Sequence, residues 1–184
     1  MVNKELLLNY GTYFESGLNL LLDTYAPFDT IDVAPMKILD IGCGSAREVS
    51  IIRKRLRNFA VFNGIDTDFR QISMAQAMNL DDSFYGVDAR EILPLLQSVG
   101  YDALILFHPE MKKPELPEIV SLATRCIRSE GLVLATTFAH DESQKLQEVL
   151  RQKDISIKLA EQNNHVTAQD FDAPFKYVIV GRKN

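Results

Sequence analysis

The sequence predicts an α/β protein. The expected architecture is a doubly wound, mostly parallel sheet of seven strands, with an antiparallel last strand and helices on both faces in three αβα layers. Three observations predict it. Short apolar or β-branched runs alternate with helix-length stretches along most of the 184 residues, and parallel strands need such crossovers. The run Ala103-Leu-Ile-Leu-Phe107 is apolar throughout, as a strand covered on both faces must be. A glycine turn, Gly42-Cys-Gly44, separates the first strand run from the first helical run, where doubly wound sheets place a ligand-binding turn.

Taken in order, the expected strands are Lys37–Ile41, Ala60–Ile65, Ser83–Gly86, Tyr101–Phe107, Gly131–Thr137, Ile155–Glu161 and Phe175–Gly181. The expected helices are Ala46–Asn58, Asp68–Met78, Ala89–Ser98, Glu115–Ser129 and Glu142–Gln152. No helical pattern separates the last two strands. Gln162–Pro174 reads as a long hairpin-like connection, which makes the final pair antiparallel. Ahead of the first strand, Leu6, Leu7, Tyr10, Tyr13, Phe14, Leu18, Leu21, Leu22 and Tyr25 recur near helical period until Pro27. Residues 1–30 are therefore expected to form a helical extension packed on a core domain of residues 31–184. Its apolar stripe serves core packing, with Tyr10, Tyr13 or Phe14 placed to roof a ligand pocket as the sharper alternative.

Composition narrows the function. Apolar residues at 46% and charged residues at 24% suit one globular domain and exclude fibrous and disordered classes. The formal net charge of −5 gives no footprint for a nucleic-acid or anionic membrane surface. No apolar run approaches the roughly 20 residues of a membrane span. The two cysteines, Cys43 and Cys126, form neither a disulfide framework nor a zinc motif. No metal site is expected, and a cytoplasmic setting is the expectation.

Around the turn the chain reads Lys37-Ile-Leu-Asp-Ile-Gly-Cys-Gly-Ser-Ala-Arg-Glu-Val49. Two glycines let the backbone bend tightly and approach a ligand closely. The helix that follows presents free N–H groups. A dinucleotide fingerprint needs a third glycine where Arg47 stands, and no GKS or GKT follows to make a phosphate loop. Asp40, two residues before Gly42, suits a cationic ligand better than a pyrophosphate. Asp66 ends the second strand, where an acid can accept ribose hydroxyls. Asp68 is placed to cap the next helix. Asp88, after the third strand, can accept from an adenine amino group or cap the helix beginning near Arg90.

The pattern Asp40-x-Gly42-x-Gly44, then Asp66, then Val87-Asp88-Ala89, resembles the class I S-adenosylmethionine-dependent methyltransferases, over roughly Met36 to Gly181. The resemblance implies a Rossmann-like fold and S-adenosylmethionine as cofactor. It implies that Asp40 orders the turn and the methionine amino group, directly or through water. It places Gly42, Cys43 and Gly44 against the methionine portion, Asp66 and Thr67 at the ribose, Asp88 and Ala89 around the adenine, and Phe107 beside the cofactor. Ala46 stands where the family often has a third glycine, which implies a modestly altered turn.

The reacting groups in such sheets gather beyond the fourth strand, here Phe107-His108-Pro109-Glu110. His108 can act as a base or orient the acceptor. Pro109, Glu110 and Tyr13 are the further candidates for substrate contact, and Glu110 suits a cationic acceptor. His108 and Glu110 can equally be solvated loop residues. His140 and His165 fall in loops after strands five and six, and His140 is the weaker catalytic candidate. Phe107–Lys113 resembles in part the segment of transfer-RNA guanine-N7 methyltransferases, without their tryptophan or the acid before proline. The basic cluster Arg53–Arg57 either complements its helix dipole or contacts RNA. The expectation is a methyltransferase acting on a small or polar acceptor. The alternatives are a cofactor-binding or interaction module that transfers nothing, an RNA methyltransferase, and an aminopropyl transferase.

Overall fold

A computed structural model describes residues 35–55, 60–162 and 177–184. The helical extension expected over residues 1–30, with Tyr10, Tyr13 and Phe14, lies outside the described residues. So do His165, Arg57, residues 163–174 of the expected final connection and the first two residues of the expected last strand.

The elements in chain order are β1 (Met36–Ile41), α1 (Glu48–Arg55), β2 (Ala60–Asp66), α2 (Phe69–Met78), β3 (Ser83–Gly86), α3 (Ala89–Leu96), β4 (Tyr101–Phe107), α4 (Leu116–Cys126), β5 (Ile127–Thr137), α5 (His140–Arg151), β6 (Ile155–Gln162) and β7 (Tyr177–Lys183). They build one seven-stranded sheet in the order β3-β2-β1-β4-β5-β7-β6. Strands β1 to β5 pair in parallel. Strand β7 inserts between β5 and β6 and runs antiparallel to both; the missing helix before it predicts the antiparallel β6–β7 pair. Among the described residues no helix is long and apolar enough to cross a membrane.

The period-2 alternation of each strand sends its side chains to opposite faces, and both faces are buried. Ile38, Ala103, Ile105, Leu132, Leu134, Val178 and Val180 pack on one side with Val49 and Ile52 of α1 and Ile72 and Ala75 of α2. Leu39, Leu104, Leu106, Val133, Ala135 and Ile179 pack on the other with Leu93 of α3, Val120 of α4 and Leu146 of α5. Leu104 and Ile105 have no exposed surface at all. Truncating such residues to alanine typically costs about 2–5 kcal/mol, so the sheet that carries the site is firmly held by its core.

Several boundaries differ from expectation for local reasons. Helix α1 begins at Glu48 rather than Ala46, because Ala46 has φ of 53° and cannot join a right-handed helix. Helix α3 stops at Leu96, where a turn runs from the Leu96 carbonyl to the Val99 N–H and on to Gly100 at φ 66°. Helix α4 does not reach Ser129. It ends at Cys126, and the chain enters β5 without a loop because Ile127 already pairs with Tyr101 and is buried. Strand β7 continues past Gly181 to Lys183, and Phe175 lies outside the described residues.

Candidate functional site

The order of the strands sets the position of the site. Chain connectivity runs outward from β1 in one direction and from β4 in the other, so β1 and β4 flank the switch point where a crevice opens at the strands' carboxyl ends. Two cavities lie there. The first, of about 280 Å³, is lined by Asp40, the turn from Gly42 to Glu48, Gln71, Phe107 and His108. The second, of about 350 Å³, includes Asp66, Thr67, Asp88, Ala89, Pro109 and Glu110 in its wall. Gly42, Phe107 and His108 line both.

The turn is stitched to the end of β2. The Gly42 and Cys43 N–H groups donate to the Ile65 carbonyl at 2.8 and 3.2 Å. The Gly44 N–H donates to Asp66 Oδ2 at 2.9 Å. The other oxygen, Oδ1, accepts from the Asp68 N–H at 2.8 Å. Gly42 and Gly44 sit at φ 76° and 50°, and a Cβ on either would project into open space. The bare backbone therefore leaves room for a ligand against the turn. Beneath it Gly64 is required for a different reason. A Cβ there would lie 2.5 Å from the Phe84 ring and 2.7 Å from Cys43 Sγ.

Besides Asp66, four carboxylates stand near this backbone. Asp68 caps α2, accepting from the Arg70 and Gln71 N–H groups at 2.9 and 3.2 Å. Asp88 caps α3 through the Arg90 N–H at 2.9 Å, and the Arg90 guanidinium spans both of its oxygens. Those bonds hold the Asp88 carboxyl down at about 2. Of the two roles open to Asp88 in the sequence, the structure fills the cap. Asp40, by contrast, is 2% exposed and its Oδ2 has no hydrogen-bond partner. Glu48 stands beside it, 7% exposed, with Oε1 likewise unpartnered. Burial and the nearby Glu48 charge push the Asp40 carboxyl well above its usual range, and burial pushes Glu48 up as well.

His108 closes the shared wall at φ 50°. Its N–H donates to the Thr136 carbonyl and Oγ1 at 3.1 and 3.3 Å, which ties the bend after β4 to β5. Its ring stacks on Phe138, with centroids 4.3 Å apart. Burial lowers the imidazole to about 4, so it is neutral at neutral pH. Glu110 pairs with Lys113 at 3.1 Å. His140 is not a loop residue: it opens α5, with its Nε2 3.0 Å from the Gln144 amide and its ring near Tyr177.

Residues 32–176 match the family model described as a methyltransferase domain. The chain belongs to this family. No curated protein matches its sequence. Among solved structures, a SAM-dependent methyltransferase from Archaeoglobus fulgidus is 18% identical, with a TM-score of 0.61 over 92% of this chain and 94% of that one. The 1,6-didemethyltoxoflavin-N1-methyltransferase of Burkholderia thailandensis, solved with its substrate and S-adenosylhomocysteine, is 13% identical at a TM-score of 0.66, over 94% and 78% of the two chains. The [4+2]-cyclase SpnF is 15% identical at a TM-score of 0.63, over 82% and 75%. The fold of this methyltransferase is thus the class I S-adenosylmethionine-dependent one, as the sequence resemblance implied.

The cofactor and substrate residues expected from the sequence and described here each line one of the two cavities, His140 lines neither, and Tyr13 lies outside the described residues. Sequence reasoning missed Glu48, Gln71 and Phe138. Glu48 reads as a first-turn acid that complements a helix dipole. Only the sharp bend at Ala46 turns it back toward Asp40. The residues fit the cofactor that the family implies. Asp40 and Glu48 line a cavity on a glycine cradle, and a braced Asp66 lines the adjoining one.

Proposed function

We propose that this methyltransferase binds S-adenosylmethionine across the two cavities and methylates a small polar acceptor held beside His108. The observation that carries the reading is the wall of Gly42, Phe107 and His108 common to both cavities, at the switch point of the sheet. The bound cofactor supplies an electrophilic methyl group on a sulfonium.

The chain's own residues do the rest. Each Asp66 oxygen already accepts one backbone N–H and keeps a second lone pair for a ribose hydroxyl. Val87, Asp88 and Ala89 frame the base. The Asp40 and Glu48 carboxyls face the amino-acid end. His108, neutral and locked between the Thr136 bonds and Phe138, accepts a hydrogen bond from the acceptor's O–H or N–H and so orients its lone pair. As the acceptor nitrogen or oxygen gains its methyl group, the proton it sheds passes to that imidazole or to water.

A small acceptor fits the charges at the mouth. Arg90 and Lys113, which line the second cavity, are paired with Asp88 and Glu110. That pairing offsets the positive charge a phosphate backbone would need from them. The cyclase neighbour supports a second reading, in which the fold serves without methyl transfer. The test uses the full chain. Calorimetry with S-adenosylhomocysteine is expected to show one site per chain, and the absence of heat from micromolar to millimolar ligand overturns the cofactor. Incubation with methyl-labelled cofactor and a metabolite extract is expected to label small molecules, with at least a tenfold drop in His108→Ala. Label in RNA overturns the acceptor class, and cofactor binding without any label favours the second reading.

A further inference from the structure

Phe138 packs against His108 in the site described above, and that contact leaves much of it uncovered. It follows Thr137, the last residue of β5, and lines neither cavity, yet its ring stacks on His108, which lines both. It is 41% exposed. Apolar side chains exposed singly on a surface are ordinary. This one differs in being held. On one side of it Thr136 and Thr137 are buried and pair with Val178 and Tyr177 of β7. On the other, the Ala139 N–H donates to Glu142 at 3.3 Å and the Ala139 carbonyl accepts from the Ser143 N–H at 3.0 Å, which joins the chain to the first turn of α5. His108 is tied down as well, by its two bonds to Thr136. An exposed ring on backbone pinned at both ends is a preorganised contact surface. A second ring pair stands at the same edge of the sheet. Tyr177 is the register partner of Thr137, and its ring meets that of the exposed His140 at 5.5 Å and 55°.

We infer that Phe138 is the stacking partner of the acceptor, and that the acceptor is a planar aromatic or heteroaromatic ring whose N–H or O–H meets His108. The inference rests on the reading of the site above and narrows its small polar acceptor to a flat one. Geometry separates this occupant from two others. Rings that capture a quaternary ammonium stand around it as a cage. His108 and Phe138 instead lie 24° from parallel with centroids 4.3 Å apart, a flat stack that a further flat ring extends. An aliphatic molecule would gain burial there but nothing from the orientation of the rings. Burial keeps the imidazole neutral at neutral pH, so the stack presents no charge of its own to a ring laid against it. The ring's polar group is then the part that the stack cannot satisfy, and the neighbouring imidazole is placed to accept from it.

Two neutral probes with one hydroxyl each test this. 1-Naphthol is flat, and decahydro-1-naphthol has the same fused-ring outline without aromatic faces. The full chain, loaded with S-adenosylhomocysteine, is titrated with each and followed by saturation-transfer NMR. 1-Naphthol should bind at least about fivefold tighter. Phe138→Leu keeps an apolar side chain and removes the ring. It should abolish that preference and leave S-adenosylhomocysteine affinity unchanged, which also reports that the variant folds. In the labelled-extract assay the methyl group should enter ultraviolet-absorbing compounds. For the acceptor isolated from them, Phe138→Leu should raise KM at least about fivefold and nearly keep kcat; a ring that only steadied His108 would lower kcat instead. The inference is overturned by equal binding of the two probes, by a preference that survives Phe138→Leu, or by choline binding more tightly than 1-naphthol. Label confined to compounds without ultraviolet absorbance overturns it too. Should S-adenosylhomocysteine fail to bind, the cofactor reading falls, and the same titration of the unloaded chain still decides this one.

Discussion

At the β2–β3 end of the crevice, Asp66 and Asp88 face the cavity with every oxygen already engaged by backbone N–H groups or Arg90. At the β1–α1 end, Asp40 and Glu48 are buried against each other in the cavity wall, and burial raises both carboxyls. The same residue type therefore does two kinds of work within one site. The engaged acids are part of the scaffold: they hold the glycine turn and start a helix, and any ligand contact is added to that. The buried pair meets chiefly itself, and its desolvation costs the fold something. Substitution should separate the two groups, because removing a brace lowers stability and binding together, whereas removing a buried charge moves them in opposite directions.

The largest effect is expected at Asp66. Asp66→Ala strands the Gly44 and Asp68 N–H groups, at about 1–3 kcal/mol for each donor left unsatisfied. The exposed Asp68 N–H can turn to water, so the part-buried Gly44 donor sets the cost, and with roughly 2–4 °C of melting temperature per kcal/mol in a chain this size, thermal unfolding should move down by about 2–12 °C. S-adenosylhomocysteine affinity should fall by about a hundredfold in calorimetry. An unchanged melting temperature would show that the turn stands without its brace, and the contrast would be lost.

Asp40→Asn should show the opposing pattern. Asparagine keeps the shape and can still donate to Glu48, but it carries no charge to bury. A raised carboxyl means that the folded chain holds more protons than the unfolded one. Stability of the ligand-free wild type should therefore be greatest in acid and decline as pH rises above the ordinary carboxylate range toward the raised value. The variant should lose part of that decline and melt a few degrees higher than wild type at pH 8. Its S-adenosylhomocysteine affinity should drop about tenfold. A lower melting temperature at pH 8 would place Asp40 among the braces.

Asp88→Ala tests the other brace with a smaller effect. Losing the cap of α3 costs about 1 kcal/mol, so melting should fall by roughly 2–4 °C. Because the Asp88 carboxyl is held down at about 2, its contribution is present above the usual carboxylate range and disappears as pH falls through that value. Wild type and variant should thus converge near pH 2. Cofactor affinity should change less than fivefold, and a larger loss measured by calorimetry would give Asp88 the adenine role after all.

This contrast explains what the sequence made legible. Strands β1 to β4 and the caps Asp68 and Asp88 follow from alternation and from N-cap chemistry, both local rules. Strand β7 follows from a helix that is missing. The end of α4 is not local: Ile127 looks helical in sequence and becomes strand because it pairs with Tyr101. At the site, Asp40, Asp66 and the glycines stand in a fixed spacing and can be read. Glu48 cannot, since its approach to Asp40 depends on the backbone bend at Ala46, which no spacing rule contains. Phe138 likewise meets His108 only because β4 and β5 are neighbours in register.

That bend gives the smallest and most delicate prediction. Ala46 is 2% exposed, packs in the core beside α1 and α2, and holds φ at 53°. A left-handed alanine costs roughly 1–2 kcal/mol, which Ala46→Gly removes. The exchange also removes a buried methyl, worth about 0.8 kcal/mol, and adds unfolded-state freedom worth about 0.4–1 kcal/mol. The contributions nearly cancel, so melting should shift by less than about 3 °C and S-adenosylhomocysteine affinity by less than threefold. A gain well beyond that would mean the turn stores more strain than one residue's dihedral accounts for. A comparable loss would mean that the alanine methyl sets the path of the turn into α1, and that the Asp40–Glu48 end of the site depends on packing as much as the braced end does.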